Sequence, residues 1–301
     1  MKQLTKQRKK YDLEDKTMIF DRNENRPVSV LLGAGSMGTA ILRRVAAGTT
    51  IVFGDISEKR LAKVKKEYEG YGYVVETQIV DANSRESIEA FAKKAASLGE
   101  VKYYIHTAGA SPNQAAPEKI IKLDLIGSAY ALDSFGKVIS RGGAGLIISS
   151  QTGYMFPPLS QEEEVQIMTT PADKLAELPC LSPERITNSG IAYIVSKKAN
   201  HLQVAYAAAN QWGERGARIN SLSPGVIVTP LAYDEFNAAG EGYQRMIDAT
   251  PAKRVGTPDE IGAAGAFLLS DAASYITGTD LLVDGGTIAA LKNGKFSLNV
   301  R

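Results

Sequence analysis

Cysteine is all but missing: Cys180 stands alone among 301 residues. One thiol excludes an internal disulfide and a cysteine-based metal cluster, and it suits a reducing compartment. No apolar run approaches the roughly 18 residues of a membrane-spanning helix. Neither charge dominates, since 35 Lys+Arg against 33 Asp+Glu leave a formal net charge of +2. That balance gives no broad electrostatic case for nucleic acid or an acidic membrane. Internal repeats and low-complexity linkers are also missing. The stretch MKQLTKQRKKYDLEDKTMIFDRNENRP is basic and then mixed, without the apolar core of a secretory signal. Its KQRKK could contact an anionic partner, but a solvated tail or helix is the expected reading. A cytoplasmic location is expected.

What is present is an ordinary globular composition, 44% hydrophobic and 23% charged, in a chain long enough to bury a large core. After Pro27, short apolar runs alternate with helical patterns. Strands are expected at 28–35, 50–55, 74–82, 101–109, 144–150, 217–225 and 276–286. Helices fall between them, including one around 117–140 and one running from Tyr193 to about Trp212. Near-continuous apolar strands separated by helices indicate a parallel sheet covered on both faces, a single doubly wound α/β domain. Residues 154–190 break the rhythm, being rich in proline and acidic groups and too long for a βα loop. We read an extension (1–27) and one domain (28–301) with a substrate-loop insertion at 154–190. The insertion's Tyr154, Met155, Phe156, Leu159, Ile167, Met168, Leu175, Leu178 and Leu181 are expected to close over a substrate.

Two motifs carry chemistry. GAGSMG places Gly33, Gly35 and Gly38 after the first strand and at the start of a helix. In that context Gly33 permits a tight turn, Gly35 lets the backbone approach a pyrophosphate, and Gly38 permits close helix–strand packing. The helix N-terminus adds N–H donors and a favourable dipole. Asp55 ends the second strand, where a carboxylate accepts ribose hydroxyls and repels a 2′-phosphate; its other reading is an N-cap. NAD is expected over NADP. The second motif, AYIVSK, sets Tyr193 and Lys197 one turn apart on a helix face. A phenol is a poor acid or base at neutral pH until a nearby cation favours the phenolate. Alone, such a pair is commonly a surface feature.

With these two motifs in order, the chain resembles the short-chain dehydrogenase/reductase family over roughly residues 28–287, outside the insertion. VDA resembles the family's adenine segment, at Asp81 and Ala82. IHTAG takes the place of Asn-Asn-Ala-Gly, keeping Ala108 and Gly109 but with His106 and Thr107 for the asparagines. IISSQTG resembles the strand end bearing the catalytic serine, placing it at Ser150 with Gly153 beyond. SPGVIVTP resembles the Pro-Gly loop over the nicotinamide, with Pro224, Gly225, Ile227 and Thr229, and ITGTDLLVDGG is similar to the closing strand.

The resemblance implies a Rossmann fold and an NAD site that also includes Ser36, Met37 and Ile56, together with Tyr193 and Lys197. It implies that Ser150 orients a substrate oxygen, Tyr193 exchanges the proton, and Lys197 holds the ribose and lowers the tyrosine pKa. Asp124 stands where the family has an asparagine that links the lysine to solvent. An ionised carboxylate cannot donate, so either the relay is altered or Asp124 is partly protonated. No metal is implied. The expected activity interconverts a secondary alcohol and a ketone, with a bulky alicyclic or hydroxysteroid-like substrate suggested by the insertion. A nucleotide-binding sensor and a sugar-nucleotide epimerase or dehydratase are the alternatives. Intact Ser150, Tyr193 and Lys197 weigh against the first, and the short stretch after Gly286 against the second. Most family members are tetramers or dimers, and the resemblance implies an interface through the helices near 117–140 and 193–212, so a homo-oligomer is expected.

Overall fold

The computed structural model describes residues 26–155, 159–229, 232 and 244–297. The extension called at 1–27 therefore lies almost wholly outside the described residues, as does Phe156.

Seven strands form one parallel sheet: β1 (Val28–Leu32), β2 (Thr50–Asp55), β3 (Val74–Ile79), β4 (Val101–His106), β5 (Ile139–Ile148), β6 (Arg218–Pro224) and β7 (Asp280–Val283). Their order is β3-β2-β1-β4-β5-β6-β7, every neighbouring pair parallel. The chain reverses direction across the sheet between β1 and β4, which opens a crevice at their carboxyl ends. β1 and β2 are buried along their whole length because helices cover both faces.

On one face lie α1 (Ser36–Val45), α2 (Glu58–Gly70) and, late in the chain, α10 (Pro258–Leu269). Ile41, Leu42, Leu61, Tyr68, Ile261 and Leu268 pack there on Leu31, Phe53 and Leu146. On the other lie α3 (Arg85–Leu98), α5 (Gly127–Gly136) and α7 (Ser189–Ala209), where Phe91, Phe135 and Val204 surround Tyr104. The sheet is doubly wound, as expected.

Several boundaries differ from the sequence reading. β3 stops at Ile79, so Asp81 and Ala82 lie in the turn beyond it. β5 starts five residues earlier than expected. Val101 pairs with Ile139 but Tyr103 with Ala144, a bulge that Gly142 (φ +74°) makes possible and that hides the regular alternation. The helix expected over 117–140 is three pieces: α4 (Pro117–Ile120), a π-helical turn (Ile121–Ile126) and α5. α7 ends at Ala209 rather than Trp212. Asn210 leaves helical geometry (ψ −114°), and the short α8 (Gln211–Glu214) turns Trp212 into the core, where its indole donates to the Leu132 carbonyl at 3.0 Å. Between β6 and α10, the described residues 244–249 are helical (α9), and α11 (Thr287–Lys292) follows β7.

The insertion is a small folded unit. Ser160 caps α6 (Gln161–Thr169) with a capping box to Glu163, and two 3-10 turns follow at Ala172–Glu177 and Pro179–Leu181. Leu159, Ile167, Leu175 and Leu181 build a third core with Ile120, Leu125, Ala192 and Val195. The expectation that these four close over a substrate is corrected, because the π-helical turn and α7 already bury them. The same packing covers part of the helix pair expected to meet another subunit. Salt bridges Lys198–Glu164 (2.9 Å) and Arg85–Asp173 (3.2 Å) tie the rim.

Candidate active site

The glycine loop joins β1 to α1, and each glycine has a different physical reason. Gly33 has φ +91°, and a Cβ there would meet the Ala108 amide nitrogen at 2.5 Å. At Gly38 a Cβ would strike Leu31 at 2.7 Å, so the helix could not approach the strand as closely. A Cβ at Gly35 would meet nothing within 4 Å. Packing therefore does not require that glycine; an open cradle at a helix N-terminus suits the close approach of a phosphate. No side chain caps α1 at Gly35; within its first turn Met37 packs half-buried against the core and Gly38 faces Leu31.

Asp55 ends β2 and is buried. Its Oδ2 accepts the Ala34 N–H at 2.8 Å and its Oδ1 accepts the Ser57 N–H at 2.8 Å. The N-cap of α2 is Ser57, so that alternative for Asp55 falls away. Arg60, one turn into α2, places its guanidinium 3.0 Å from Asp55 Oδ2 and 3.3 Å from Oδ1. A ribose hydroxyl has to share or displace this arginine. Sequence reading missed Arg60, although its position in the first turn of the helix after the strand was visible. Ile56 is 64% exposed beside the carboxylate, an apolar surface available to a base. Exposed Asp81 accepts from Asn83 through Oδ1 (2.9 Å to its backbone N–H), whereas Ala82 is buried.

β4 brings the His106–Gly109 segment alongside. Thr107 donates its hydroxyl to the Gly33 carbonyl, and the Thr107 and Ala108 N–H groups both donate to the Leu32 carbonyl. Thr107 thus fastens this loop to the glycine loop. His106 is fully buried, its Nδ1 2.8 Å from the Tyr104 hydroxyl. Burial, then the charge of Lys197, pushes its pKa down to about 3, so the ring is neutral. Across the sheet, Gly225 donates to the Val283 carbonyl, and a Cβ there would collide with Asp284 at 2.7 Å. Pro224, at the end of β6, is buried. The Ile227 side chain is buried in the core, and Thr229 Oγ1 accepts the Ala232 N–H at 3.0 Å.

At the end of β5 the two serines diverge. Ser149 is buried and donates to the Lys197 carbonyl at 2.9 Å. Ser150 is half-buried and caps a 3-10 turn, Gln151–Tyr154, by accepting the Thr152 N–H at 3.2 Å. Gly153 presses that turn onto α7, since a Cβ there would meet the His201 ring at 2.6 Å and the Lys197 backbone at 3.1 Å. Tyr154 leads into the insertion and donates to Asp280 Oδ2 at 2.7 Å; Asp280 Oδ1 accepts from Ser221 (2.6 Å) and Ser223 (3.0 Å). His201 Nε2 lies 2.9 Å from Ser223 Oγ. This cluster of His201, Ser223, Asp280 and Tyr154 also escaped the sequence reading, because its members come from four distant segments.

α7 presents Tyr193 and Lys197 on one face. Tyr193 is half-buried, and Lys197 Nζ lies 5.1 Å from the centre of its ring. Lys197 is buried and pairs with Asp124 Oδ2 at 3.0 Å. Burial alone would lower the lysine pKa. The Asp124 carboxylate, then the Tyr193 phenol, outweigh it, and the ammonium keeps its proton above the ordinary value. Asp124, in the π-helical turn, is pushed upward by burial, which Lys197 and the Ala110 N–H oppose. A π-helical turn at such a position is a common mark of a functional site.

Comparison with known proteins bears on this arrangement. The short-chain dehydrogenase/reductase bsc3 of Alternaria brassicicola is 40% identical over 265 residues, 87% of this chain and 96% of that protein. The chain belongs to the short-chain dehydrogenase/reductase family. Within the family, galactitol 2-dehydrogenase (L-tagatose-forming) of Cereibacter sphaeroides is 29% identical, over 86% of this chain and 93% of that one. The family model described as enoyl-(acyl carrier protein) reductase matches residues 165–287. The crystal structure of gox2181 superposes with a TM-score of 0.70 at 23% identity, over 88% of this chain and 96% of that one, a likeness of fold. As a short-chain dehydrogenase/reductase the protein is an oxidoreductase of alcohols and ketones that uses a nicotinamide dinucleotide. Among the described residues no helix is long and apolar enough to cross a membrane, and no group of three or more His, Cys, Asp or Glu could hold a metal.

Proposed function

We propose that this short-chain dehydrogenase/reductase is NAD(H)-dependent and interconverts a secondary alcohol and a ketone through Ser150, Tyr193 and Lys197. The observation that carries the reading is the face of α7. A phenol and a buried ammonium share it, pressed against the turn that Ser150 caps and reached from the same strand ends as the glycine loop. The nicotinamide dinucleotide, when bound, supplies or accepts the hydride. Gly33, Gly35 and Gly38 would take its pyrophosphate, Asp55 its adenosine ribose, Asp81 its adenine, and the Pro224–Thr229 segment its carboxamide end. Ser150 would hydrogen-bond the substrate oxygen, and Tyr193 would give or take the proton there. Lys197 would hold the nicotinamide ribose and favour the phenolate.

Asp55 supports NAD over NADP, because a buried carboxylate opposes a phosphate dianion at the same ribose. Arg60 works the other way if its pair with Asp55 opens. The insertion gives less support to a bulky alicyclic, hydroxysteroid-like substrate than its composition suggests, since four of its apolar side chains face the chain itself. A cavity of about 350 Å³ between the insertion and the π-helical turn is lined by Ile121, Ile126, Leu181 and Ile186, but not by Ser150, Tyr193 or Lys197. Met155 and Met168, half-buried, remain available to a substrate wall, whereas Leu178 packs against the third core. A polyol, the substrate type in the name of galactitol 2-dehydrogenase, is therefore the second reading. The test is NADH and NADPH fluorescence titration, followed by a screen of alicyclic alcohols and polyols with both cofactors. Turnover with an alicyclic alcohol and NAD is the expected result. Preference for NADP, or no turnover of any secondary alcohol or ketone, would overturn the reading.

A further inference from the structure

The cation on α7 is not a free ammonium. Lys197 is 5% exposed, and a carboxylate stands 3.0 Å from its Nζ. Asp124 is 1% exposed, and hydrogen bonds hold its backbone and one carboxylate oxygen. Its Oδ1 accepts the Ala110 N–H at 2.9 Å. Its main-chain carbonyl accepts the Ser128 hydroxyl and the Asn200 amide, both at 2.8 Å. The π-helical turn fixes the residue between β4 and α7, and a Cβ at Gly109 would already approach Oδ2 to 3.1 Å. The carboxylate cannot swing away from the lysine without giving up the Ala110 N–H, and the Ser128 and Asn200 bonds fix the backbone that carries it.

Among the described residues, the other ionisable groups facing Lys197 add no compensating charge. His106, on β4, is neutral, and His201, one turn along α7, is likewise held toward its neutral form by burial. Asp280 lies beyond His201, 3.4 Å from its Nε2. The Lys197–Asp124 pair is therefore close to neutral as seen from Tyr193, whereas a lone ammonium would present a full positive charge. A phenolate gains less from a paired cation than from a bare one.

Resting on Tyr193 as the acid/base group, we propose that Asp124 is a positioning residue that keeps Tyr193 protonated to higher pH and so biases the site toward carbonyl reduction near neutrality. In that direction the carbonyl carbon gains the hydride from the reduced nicotinamide and its oxygen gains the Tyr193 proton. The C=O π bond breaks, a secondary alcohol and oxidised cofactor result, and the tyrosinate regains a proton from solvent.

The test is Asp124→Asn, nearly isosteric but uncharged, read in two ways. In cofactor-free protein with ¹³Cζ-labelled tyrosine, the Tyr193 signal, assigned by its loss in Tyr193→Phe, is titrated by NMR. The variant's midpoint should fall by about one pH unit or more, and Asp124→Glu should stay near wild type. In turnover, the rising limb of kcat/KM for alcohol oxidation should move to lower pH by the same amount. Equal midpoints in wild type and Asp124→Asn would overturn the proposal, even if the variant were slower, since a purely structural role changes rate without moving the titration. If Asp124→Asn does not fold, Asp124→Ser carries the same titration. A shifted midpoint in a protein that turns over no alcohol or ketone would count against the oxidoreductase reading and leave the charge coupling standing.

Discussion

His106 occupies a place where family members have asparagine, and its burial has a consequence for stability. Its folded pKa of about 3 lies below the ordinary histidine value of 6.5. Between those pH values the unfolded chain binds more protons than the folded one, so stability falls as pH drops through the window. Each pH unit costs about 1.4 kcal/mol. Denaturant unfolding of wild type and His106→Asn at pH 6.5 and 4.5 should show the wild type losing about 2–3 kcal/mol more than the variant. Parallel losses would mean that the histidine is not held neutral. At Asp55 the expectation concerns cofactor choice: Asp55→Ala should narrow the NAD/NADP preference, mainly through cofactor KM, and leave Arg60 free to meet a 2′-phosphate. Loss of NADP use in Asp55→Ala/Arg60→Ala relative to Asp55→Ala would identify the arginine as that partner. These residues show what single positions reveal. The three glycines were legible because each stands at a fixed offset from a strand end. Arg60, Asn200 and the His201–Asp280 cluster were not, because their roles depend on partners from other segments.

The insertion was legible as an interruption but not in its packing. Its leucines and isoleucines suit a lid and a core equally well, and only the partner surface decides between them. Because Ile167 and Leu175 are each 1% exposed in the third core, truncating either to alanine should cost about 2–5 kcal/mol. Replacing residues 157–185 by a Gly/Ser linker should destabilise the protein rather than leave it intact, since Ile120, Leu125 and Val195 would lose their cover. Thermal unfolding of the three variants checks this; wild-type melting by the shortened chain would show that the core contributes little. The π-helical turn was hidden for a different reason. IKLDLI is compatible with an α-helix throughout, and the departure comes with a local bond from Ser128 and a tertiary bond from Asn200 to the Asp124 carbonyl. The bulge in β5 was hidden because glycines erase the alternation that marks a strand.

For the whole molecule, the parallel sheet and its double winding were readable from apolar runs alternating with helical periodicity, whereas the strand order came only with the structure. That frame sets the glycine loop, the Ser150 turn and α7 around one set of strand ends. A ligand that binds only the folded chain stabilises it, by about 2.7 kcal/mol at one hundred times its Kd. NADH should therefore raise the melting temperature in wild type and Tyr193→Phe alike, whereas turnover should fall far more than tenfold in the variant, about 1.4 kcal/mol of barrier per decade. The central claim is that this one crevice joins hydride transfer to proton transfer through Tyr193. Its most direct test is incubation with NADH deuterated at C4, using each face in turn, and a panel of ketones. The predicted result is a secondary alcohol carrying one deuterium on its carbinol carbon from one face of the cofactor only, and no labelled product with Tyr193→Phe. NADH binding without deuterium transfer to any ketone, or equal transfer by Tyr193→Phe, would contradict it.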